Sequence, residues 1–262
     1  MITSTSNQQV KNLIQLQKKG KARKEQDVFV VEGLKMYQEA PEDRLVKTYV
    51  SESFYKKQKE KDIWKGEPIE ILADRVFEAV SDTRTPQGIL SLVTQSHFSL
   101  TEVAAGASPL LMVIENLQDP GNLGTILRTG EGAGVTGIIM SSETVDIYNP
   151  KTIRSTMGSL YRVPFAYVEK LSEAVELLQK NDIPVYAAHL KGQRFFDELS
   201  YEGGSAFLIG NEGNGLKKET ADLADTYLKI PMEGKLESLN AAVAAALLLY
   251  QASGNSRRKQ LK

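Results

Sequence analysis

The chain has 262 residues and a nearly balanced charge, with 32 Lys and Arg against 33 Asp and Glu, and it contains no cysteine. Disulfides, cysteine-based zinc sites and thiol nucleophiles are therefore excluded. The two histidines, His97 and His189, lie far apart in the sequence, so we expect no metal site. The longest apolar run, residues 241–250, is shorter than the ~20 residues that a membrane span needs. With an N-terminus that lacks the apolar core of a secretory signal, this composition predicts a cytoplasmic protein without membrane association.

Positive charge is concentrated at both ends of the chain. The basic residues there are Lys11, Lys18, Lys19, Lys21, Arg23 and Lys24, and then Arg257, Arg258, Lys259 and Lys262. Residues 1–24 contain no Asp or Glu. Such runs fit a solvated helix surface as well as a binding site. Basic ends on an otherwise acidic body also suit a polyanionic partner such as RNA.

The first part of the chain alternates strand-like and helix-like runs. The predicted strands are residues 28–31, 45–50, 69–72 and 88–93, and the predicted helices are 33–40 and 74–80. Polar and small residues follow, which is typical of a connection between domains. The pattern predicts a small α/β domain over residues 1–98 and a linker over 99–108.

The second part of the chain contains short, continuously apolar runs. They are residues 110–115, 137–140, 163–168, 183–188, 205–210 and 226–230, separated by helices of which 171–181 is the clearest. Continuous apolarity indicates strands buried on both faces, which is typical of a parallel sheet covered by helices. Residues 109–262 are therefore predicted to form a parallel α/β domain.

Three loops that follow these strands are rich in glycine or small polar residues. Their sequences are LQDPGNLG after 110–115, NEGNGL after 205–210 and PMEGKLESLN after 226–230. Ligands of parallel sheets bind at the carboxyl ends of the strands. Glycine lets the backbone come close to a ligand, although each loop taken alone also fits an ordinary turn.

Two nucleotide-binding motifs are excluded by their context. GAGVTG, residues 132–137, matches the dinucleotide glycine pattern, but it follows a helix and precedes a strand, the reverse of what that motif requires. Gly134 is predicted instead as a helix C-cap. GNEGNGLK, residues 210–217, lacks the Gly-Lys-Ser/Thr ending of a phosphate-binding loop.

The helix after the first of these loops contains an arginine that its apolar pattern does not explain. Pro120 and Gly121 predict a turn, and Asn122 is the expected N-cap. The apolar stripe of this helix consists of Leu123, Ile126, Leu127, Gly130 and Ala133. Arg128 projects roughly opposite that stripe, so it is either a solvated charge or part of a ligand site.

The last helix is predicted to begin after Ser238 or Asn240, either of which can cap it. It is apolar nearly all round, so it is expected to be buried against the sheet or in a subunit interface.

Three segments of the second part of the chain resemble the motifs of a known family. NLGTILRTGEGAG, FLIGNEGNGL and IPMEGKLESLNAAVAAALLLY resemble, in order and spacing, the three motifs of the SpoU/TrmH family of RNA ribose 2′-O-methyltransferases, in the SPOUT superfamily. IYNPKTIRSTMGSLYRVP, residues 147–164, is similar to the family's segment between its first two motifs. VFVVEGLKMYQEA and SDTRTPQGILSLV resemble, more loosely, the RNA substrate-binding domain often fused to these enzymes.

The resemblance implies a C-terminal SPOUT domain with a trefoil knot, a homodimer, and S-adenosylmethionine as the cofactor. RNA is the implied partner, with ribosomal RNA favoured because of the N-terminal domain. Carried over by motif, the cofactor-binding residues are Gly210, Ile230, Met232, Ser238 and Leu239. The implied catalytic surroundings are Asn122, Glu212, Ser238 and Asn240, with Arg128 as the catalytic residue.

Other functions stay open from the sequence alone. The substrate can be tRNA instead of ribosomal RNA. A non-catalytic RNA-binding protein on the same fold is the main alternative of another class, although it has no need of three intact loops. An NAD-dependent enzyme is a more distant alternative, because its glycine motif is misplaced here.

Overall fold

The computed structural model of the protein describes residues 1–58, 61, 63–236 and 238–260, with the side chains of the last helix described as far as Gly254. The described residues form two compact units. Unit 1 consists of Met1–Ser96 and Asp146–Tyr161, and unit 2 of His97–Val145 and the residues from Arg162 onward. None of the described helices is long and apolar enough to cross a membrane.

The strands in chain order are β1 (Val28–Glu32), β2 (Leu45–Ser51), β3 (Ile69–Leu72), β4 (Ile89–Thr94), β5 (Leu110–Ile114), β6 (Gly137–Ser141), β7 (Phe165–Val168), β8 (Val185–Ala188), β9 (Arg194–Phe195), β10 (Ser205–Ile209) and β11 (Thr226–Lys229). The helices are α1 (Gln8–Lys18), α2 (Gly20–Gln26), α3 (Leu34–Glu39), α4 (Glu52–Gln58), α5 (Asp74–Val80), α6 (Leu100–Val103), α7 (Pro120–Ala133), α8 (Pro150–Thr156), α9 (Leu171–Lys180), α10 (Lys218–Ala221) and α11 (Ala241–Gln260). Every strand predicted from the sequence is present, within two residues at each end. The short edge strand β9 has no apolar run and was not predicted.

Unit 1 contains a four-stranded sheet in the order β1-β4-β2-β3. Strand β4 pairs antiparallel with β1 and β2, whereas β3 runs parallel to β2. Its core lies between the sheet and α1 and α5, where Val10, Leu13, Leu72 and Phe77 are buried together. This arrangement confirms the smaller N-terminal α/β domain.

Unit 2 contains a seven-stranded sheet in the order β7-β6-β5-β10-β8-β11-β9. Every described pairing in this sheet is parallel. All residues of β6 and β10 are buried, as their continuous apolarity predicted. The predicted parallel α/β fold is confirmed, and the carboxyl ends of the strands all lie at the same edge of the sheet.

The segment Asp146–Tyr161 belongs to unit 1, although the sequence analysis placed it within the domain 109–262. Its buried residues include Ile147, Ile153 and Leu160. The ring of Tyr148 lies 4.5 Å from that of Phe29 in β1. The compact units therefore differ from the predicted domains, because this apolar segment is covered by unit 1.

Residues 99–108, predicted as a linker, are partly folded into unit 2. Ser99 and Glu102 form a capping box at the start of α6. Val103 is fully buried in the core of unit 2, next to Leu111 and Ile139. This part of the chain therefore contributes to packing as well as to the connection.

Arg23 differs from the lysines around it because its side chain is buried. Its Nη1 donates to the carbonyl oxygens of Leu16 (2.6 Å) and Gln17 (3.1 Å), and its Nε and Nη2 donate to Asp146 Oδ2 at 3.1 and 2.5 Å. Arg23 therefore fixes the corner between α1 and α2 to the segment Asp146–Tyr161. The sequence left this basic run open between a solvated helix surface and a binding site for a polyanion, and the burial of Arg23 removes it from both interpretations.

We predict that Arg23→Ala destabilises unit 1 by about 2–3 kcal/mol. Breaking a buried ion pair costs ~3–5 kcal/mol, and the cost is lower here because the side chain of Asp146 is 29% exposed. Thermal and urea unfolding of the full chain measure the change. The control is Lys24→Ala, which removes an exposed cation of the same helix and is expected to alter stability by less than about 0.5 kcal/mol. Equal effects of the two substitutions would contradict the role given to Arg23.

Candidate active site

Three loops meet at the carboxyl edge of the sheet in unit 2. Loop 1 (residues 115–119) follows β5, loop 2 (210–217) follows β10, and loop 3 (the described residues of 230–240) follows β11. Strand β10 lies between β5 and β8, and β11 lies on the other side of β8. The parallel sheet thus brings together three segments that are far apart in the sequence.

Loops 2 and 3, together with residues 188–190 and the start of α11, line a cavity of about 350 Å³. Its walls include all five residues predicted to bind the cofactor, namely Gly210, Ile230, Met232, Ser238 and Leu239. Leu190, Leu216 and Glu212 also line it. The volume and the mixture of apolar walls with a few polar groups are typical of a small-molecule site.

Gly210 is required by the closure of its own loop. A Cβ atom there would lie 2.1 Å from the carbonyl carbon of Gly215 and 2.2 Å from the nitrogen of Leu216. The backbones of Asn211 and Gly215 exchange two hydrogen bonds, of 3.1 and 2.9 Å. The expected reason for this glycine was close approach to a ligand, whereas the structure shows close approach of loop 2 to itself.

A polar cluster of Glu212, Asn122 and Asn240 lies beside this cavity. Asn240 Oδ1 accepts from the backbone nitrogens of Ala242 (2.9 Å) and Val243 (3.3 Å), so Asn240 caps α11. Its Nδ2 then donates to Asn122 Oδ1 (2.9 Å), and Asn122 Nδ2 donates to Glu212 Oε1 (3.0 Å). The helix cap therefore determines which way both amides point.

Glu212 is the acceptor at the end of this chain of hydrogen bonds. Its carboxylate also accepts from the backbone nitrogens of Gln118 (3.2 Å) and Asp119 (3.0 Å). Partial burial acts to raise the pKa of Glu212, but the hydrogen bonds from Asn122, Asp119 and Gln118 together outweigh it and lower the pKa. Glu212 is therefore a carboxylate at neutral pH.

The start of α7 differs from the prediction. Asp119, rather than Asn122, is the N-cap, and its side chain accepts from the backbone nitrogen of Asn122 at 2.8 Å. Proline favours the first helical position because it has no N–H to satisfy, so the helix begins at Pro120. The side chain of Asn122 is thereby free to bond Glu212. Gly134 ends α7 in a left-handed conformation, as predicted.

Arg128 lies on the exposed side of α7. The buried residues of that helix are Leu123, Gly124, Ile126, Leu127, Gly130 and Ala133, which confirms the predicted stripe. Within the part of the chain that the structure describes, Arg128 makes no hydrogen bond or ion pair. Its guanidinium is thus available to an external group.

Sequence reasoning missed the residues that order the loops. Asn116 and Asn211 are the second residues after β5 and β10, and their polar groups form hydrogen bonds within and between loops 1 and 2. The available signal was a polar residue just after a buried strand at the ligand-binding edge. Among the described residues, no group of three or more His, Asp or Glu has a metal-binding arrangement.

The chain matches two family models and known methyltransferases. Residues 109–250 match the SpoU rRNA Methylase family, and residues 7–91 match the MRM3-like substrate binding domain. The chain is 33% identical, over 97% of its length and 99% of the other protein's, to the 23S rRNA (guanosine(2553)-2′-O)-methyltransferase RlmP of Bacillus subtilis. It is 31% identical, over 99% of its length and 94% of the other's, to an uncharacterized tRNA/rRNA methyltransferase of Synechocystis sp..

A solved structure is similar over the whole chain. The AdoMet-bound rRNA methyltransferase from Sinorhizobium meliloti is 30% identical, with a TM-score of 0.85 over 100% of this chain and 98% of that one. Fold and matches together define an RNA-modifying methyltransferase of the parallel α/β class. The chain belongs to the SpoU rRNA methylase family, as its three motifs predicted.

We predict that the contribution of Glu212 to stability depends on pH. A carboxyl whose pKa is lowered by folding stabilises the protein above its ordinary pKa, and this contribution is lost as the pH falls through the lowered value. Glu212→Gln should therefore lower the melting temperature at pH 7, and the difference from wild type should shrink at a pH well below the usual range of glutamate. Glu176→Gln, on the exposed face of α9, is the control. A difference between wild type and Glu212→Gln that is the same at both pH values would contradict the assignment.

Proposed function

We propose that the protein transfers a methyl group from S-adenosylmethionine to the ribose 2′-oxygen of a nucleotide in ribosomal RNA. The observation that carries this proposal is the convergence of three sequence motifs on one edge of the sheet. There a cavity adjoins the cluster of Glu212, Asn122 and Asn240. Relatives named as the methyltransferases RlmP and RlmB act on 23S rRNA, which supports this class of substrate.

The residues around the cavity fit S-adenosylmethionine. Leu216, Ile230 and Met232 offer apolar walls to flat or aliphatic groups, and the ionised carboxylate of Glu212 favours a positive charge. When bound, the cofactor supplies a methyl group on a positively charged sulfonium. We therefore assign its binding to Gly210, Ile230, Met232, Ser238 and Leu239, as the sequence predicted.

Arg128 is the residue that we assign to the chemistry of the ribose hydroxyl. Methylation needs the 2′-oxygen held in line with the methyl group and the loss of one hydroxyl proton. An arginine side chain is protonated at neutral pH, so it can hold a neighbouring phosphate and stabilise the developing oxyanion while water or phosphate accepts the proton. The alternative is that Arg128 reacts as a neutral guanidine and takes the proton itself, which requires that the positive charge of a bound sulfonium disfavour its protonated form. Asn122, Glu212, Ser238 and Asn240 form the polar surroundings of this step.

A homodimer is part of the proposal. Val243, Leu247 and Tyr250 are 48%, 39% and 44% exposed, and they lie three and four residues apart along α11. This spacing places them on one apolar face, which we propose is covered by a second copy of the chain. We also propose the trefoil knot of the SPOUT family for unit 2, and a cytoplasmic location.

The N-terminal lysines are proposed to hold RNA by its phosphates. Lys11, Lys18, Lys19, Lys21 and Lys24 are exposed in α1, α2 and the residue between them. Phosphate contacts of this kind give salt-dependent affinity without sequence selectivity. The basic residues Arg257, Arg258, Lys259 and Lys262 lie outside the described side chains.

Mapping ribose methylation in RNA from cells that lack the protein tests the proposed function. The expected result is the loss of one methylated ribose in ribosomal RNA, with the counterpart of guanosine 2553 of 23S rRNA as the first position to inspect. Loss of a tRNA methylation instead would favour the tRNA alternative. An unchanged methylation map, together with RNA binding by the purified protein, would favour a non-catalytic RNA-binding protein.

We predict that Leu239→Arg abolishes binding of S-adenosylmethionine. A long charged side chain at the wall of the cavity fills the space of the ligand and adds a like charge next to the sulfonium. Calorimetry measures cofactor affinity, and circular dichroism verifies the fold. The matched control is Leu236→Arg in the same loop, because Leu236 is 72% exposed and does not line the cavity. Unchanged affinity in a folded Leu239→Arg protein would show that the cofactor binds elsewhere.

We predict that Arg128→Ala keeps the fold and the cofactor affinity but loses methyl transfer by roughly 100-fold or more, the lower range for one acid–base or oxyanion contact. Single-turnover methylation at saturating cofactor measures the loss. Lys180→Ala, which removes an exposed cation from α9, is the control. A near wild-type rate in Arg128→Ala would make Arg128 a solvated charge.

Arg128→Lys separates the two roles proposed for this residue. Lysine loses its proton more easily than arginine but cannot contact a phosphate in the same bidentate way, so activity that rises with pH in this variant would favour a base.

A further inference from the structure

Asn116, the second residue of loop 1, has an unusual backbone conformation. Its φ is +51°, in the left-handed region that residues other than glycine seldom adopt. Asparagine adopts this region more readily than most residues with a side chain, and its surroundings stabilise it there. Here Ser141 holds it, because the hydroxyl of Ser141 donates to Asn116 Oδ1 (2.7 Å) and accepts from the backbone nitrogen of Asn116 (2.9 Å).

This conformation directs the carbonyl oxygen of Asn116 to two side chains from different loops. Gln118 Nε2 donates to it from loop 1 at 3.0 Å, and Asn211 Nδ2 donates to it from loop 2 at 2.8 Å. A carbonyl oxygen has two lone pairs, so both hydrogen bonds form together. One backbone atom thus accepts hydrogen bonds from loop 2, which lines the cavity, and from loop 1, whose backbone donates to Glu212.

Each of the two donors orders its own loop. Asn211 Oδ1 accepts from the backbone nitrogens of Gly213 (2.8 Å) and Asn214 (3.3 Å), which shapes the wall of the cavity. Gln118 also donates through Nε2 to the carbonyl of Glu143 (2.9 Å), and its backbone nitrogen donates to Glu212. A shift of the Asn116 carbonyl therefore disturbs the cavity wall and the polar cluster together.

We propose that Asn116 is a positioning residue. It keeps loop 2, which lines the cavity, aligned with loop 1 and with the polar cluster of Glu212, Asn122 and Asn240. It acts through Asn211 on the cavity and through Gln118 on Glu212. The inference rests on the proposed function, because it assigns the cofactor to the cavity walled by loop 2 and the reaction to the cluster around Glu212.

The test uses Asn116→Ala in the full chain. Alanine lacks the bond to Ser141 and tolerates a positive φ poorly, so the carbonyl loses its fixed direction. The expected result is a rise of about 10-fold in the dissociation constant for S-adenosylmethionine and a fall of about 10-fold in the single-turnover rate at saturating cofactor and RNA, each comparable to one lost hydrogen bond. Asn116→Gly, which keeps the backbone conformation, should retain more of both properties than Asn116→Ala does.

The matched control is Asp182→Ala. Asp182 has φ of +56° in the turn after α9, outside the three loops, so the substitution introduces the same backbone strain elsewhere. It should lower the melting temperature without changing cofactor affinity or rate. If Asn116→Ala behaves in the same way, or changes only one of the two properties, the proposal is overturned.

Hydrogen exchange separates this proposal from the proposed function, because it needs neither cofactor nor RNA. Asn116→Ala leaves the side chain of Asn211 in place but no longer orients it through the Asn116 carbonyl. The backbone amides of Gly213 and Asn214, which bond Asn211 Oδ1 in loop 2, should therefore exchange faster. Unchanged exchange there overturns the link between the loops even if the enzyme is active. Faster exchange in a protein that does not methylate RNA supports the link while the proposed function fails.

Discussion

The parallel direction of the strands in unit 2 is the constraint on which the site depends. A carboxylate from loop 2 cannot meet an amide from α7 and an amide from the start of α11 unless the strands before them end at one edge. Burial of β6 and β10 on both faces fixes the sheet, because any shift in pairing would expose apolar residues or leave backbone groups without partners. The core thereby determines where the polar residues lie.

The polar cluster is pre-organised by ordinary secondary-structure chemistry. Asn240 is a helix cap and Asn122 lies in the first turn of α7, so neither side chain needs a ligand to find its orientation. Glu212 receives backbone N–H groups as well as an amide, which holds it ionised. Groups fixed before the reaction cost little reorganisation during it, and that is how oriented dipoles contribute most to catalysis.

The sequence predicted the strands well because a strand buried on both faces needs a continuous apolar run. It also predicted which loops meet, and the five residues carried over to the cofactor site all line one cavity. It failed where two local signals compete, as at Asn122, where proline moved the cap to Asp119. The burial of Arg23 and the packing of Asp146–Tyr161 depend on contacts between distant segments, which periodicity does not encode.

Unit 1 is discontinuous in the chain, and this has a consequence for synthesis on the ribosome. Its first 96 residues emerge early. The segment Asp146–Tyr161, which contacts Arg23 and Phe29, is synthesised only after β5, α7 and β6. At ordinary elongation rates the delay is on the order of several seconds. During that interval the apolar residues that the segment covers in the folded unit, Phe29 among them, lack that cover. The amino-terminal unit is the first to be translated but cannot be completed until residues 97–145 of the other unit have been synthesised.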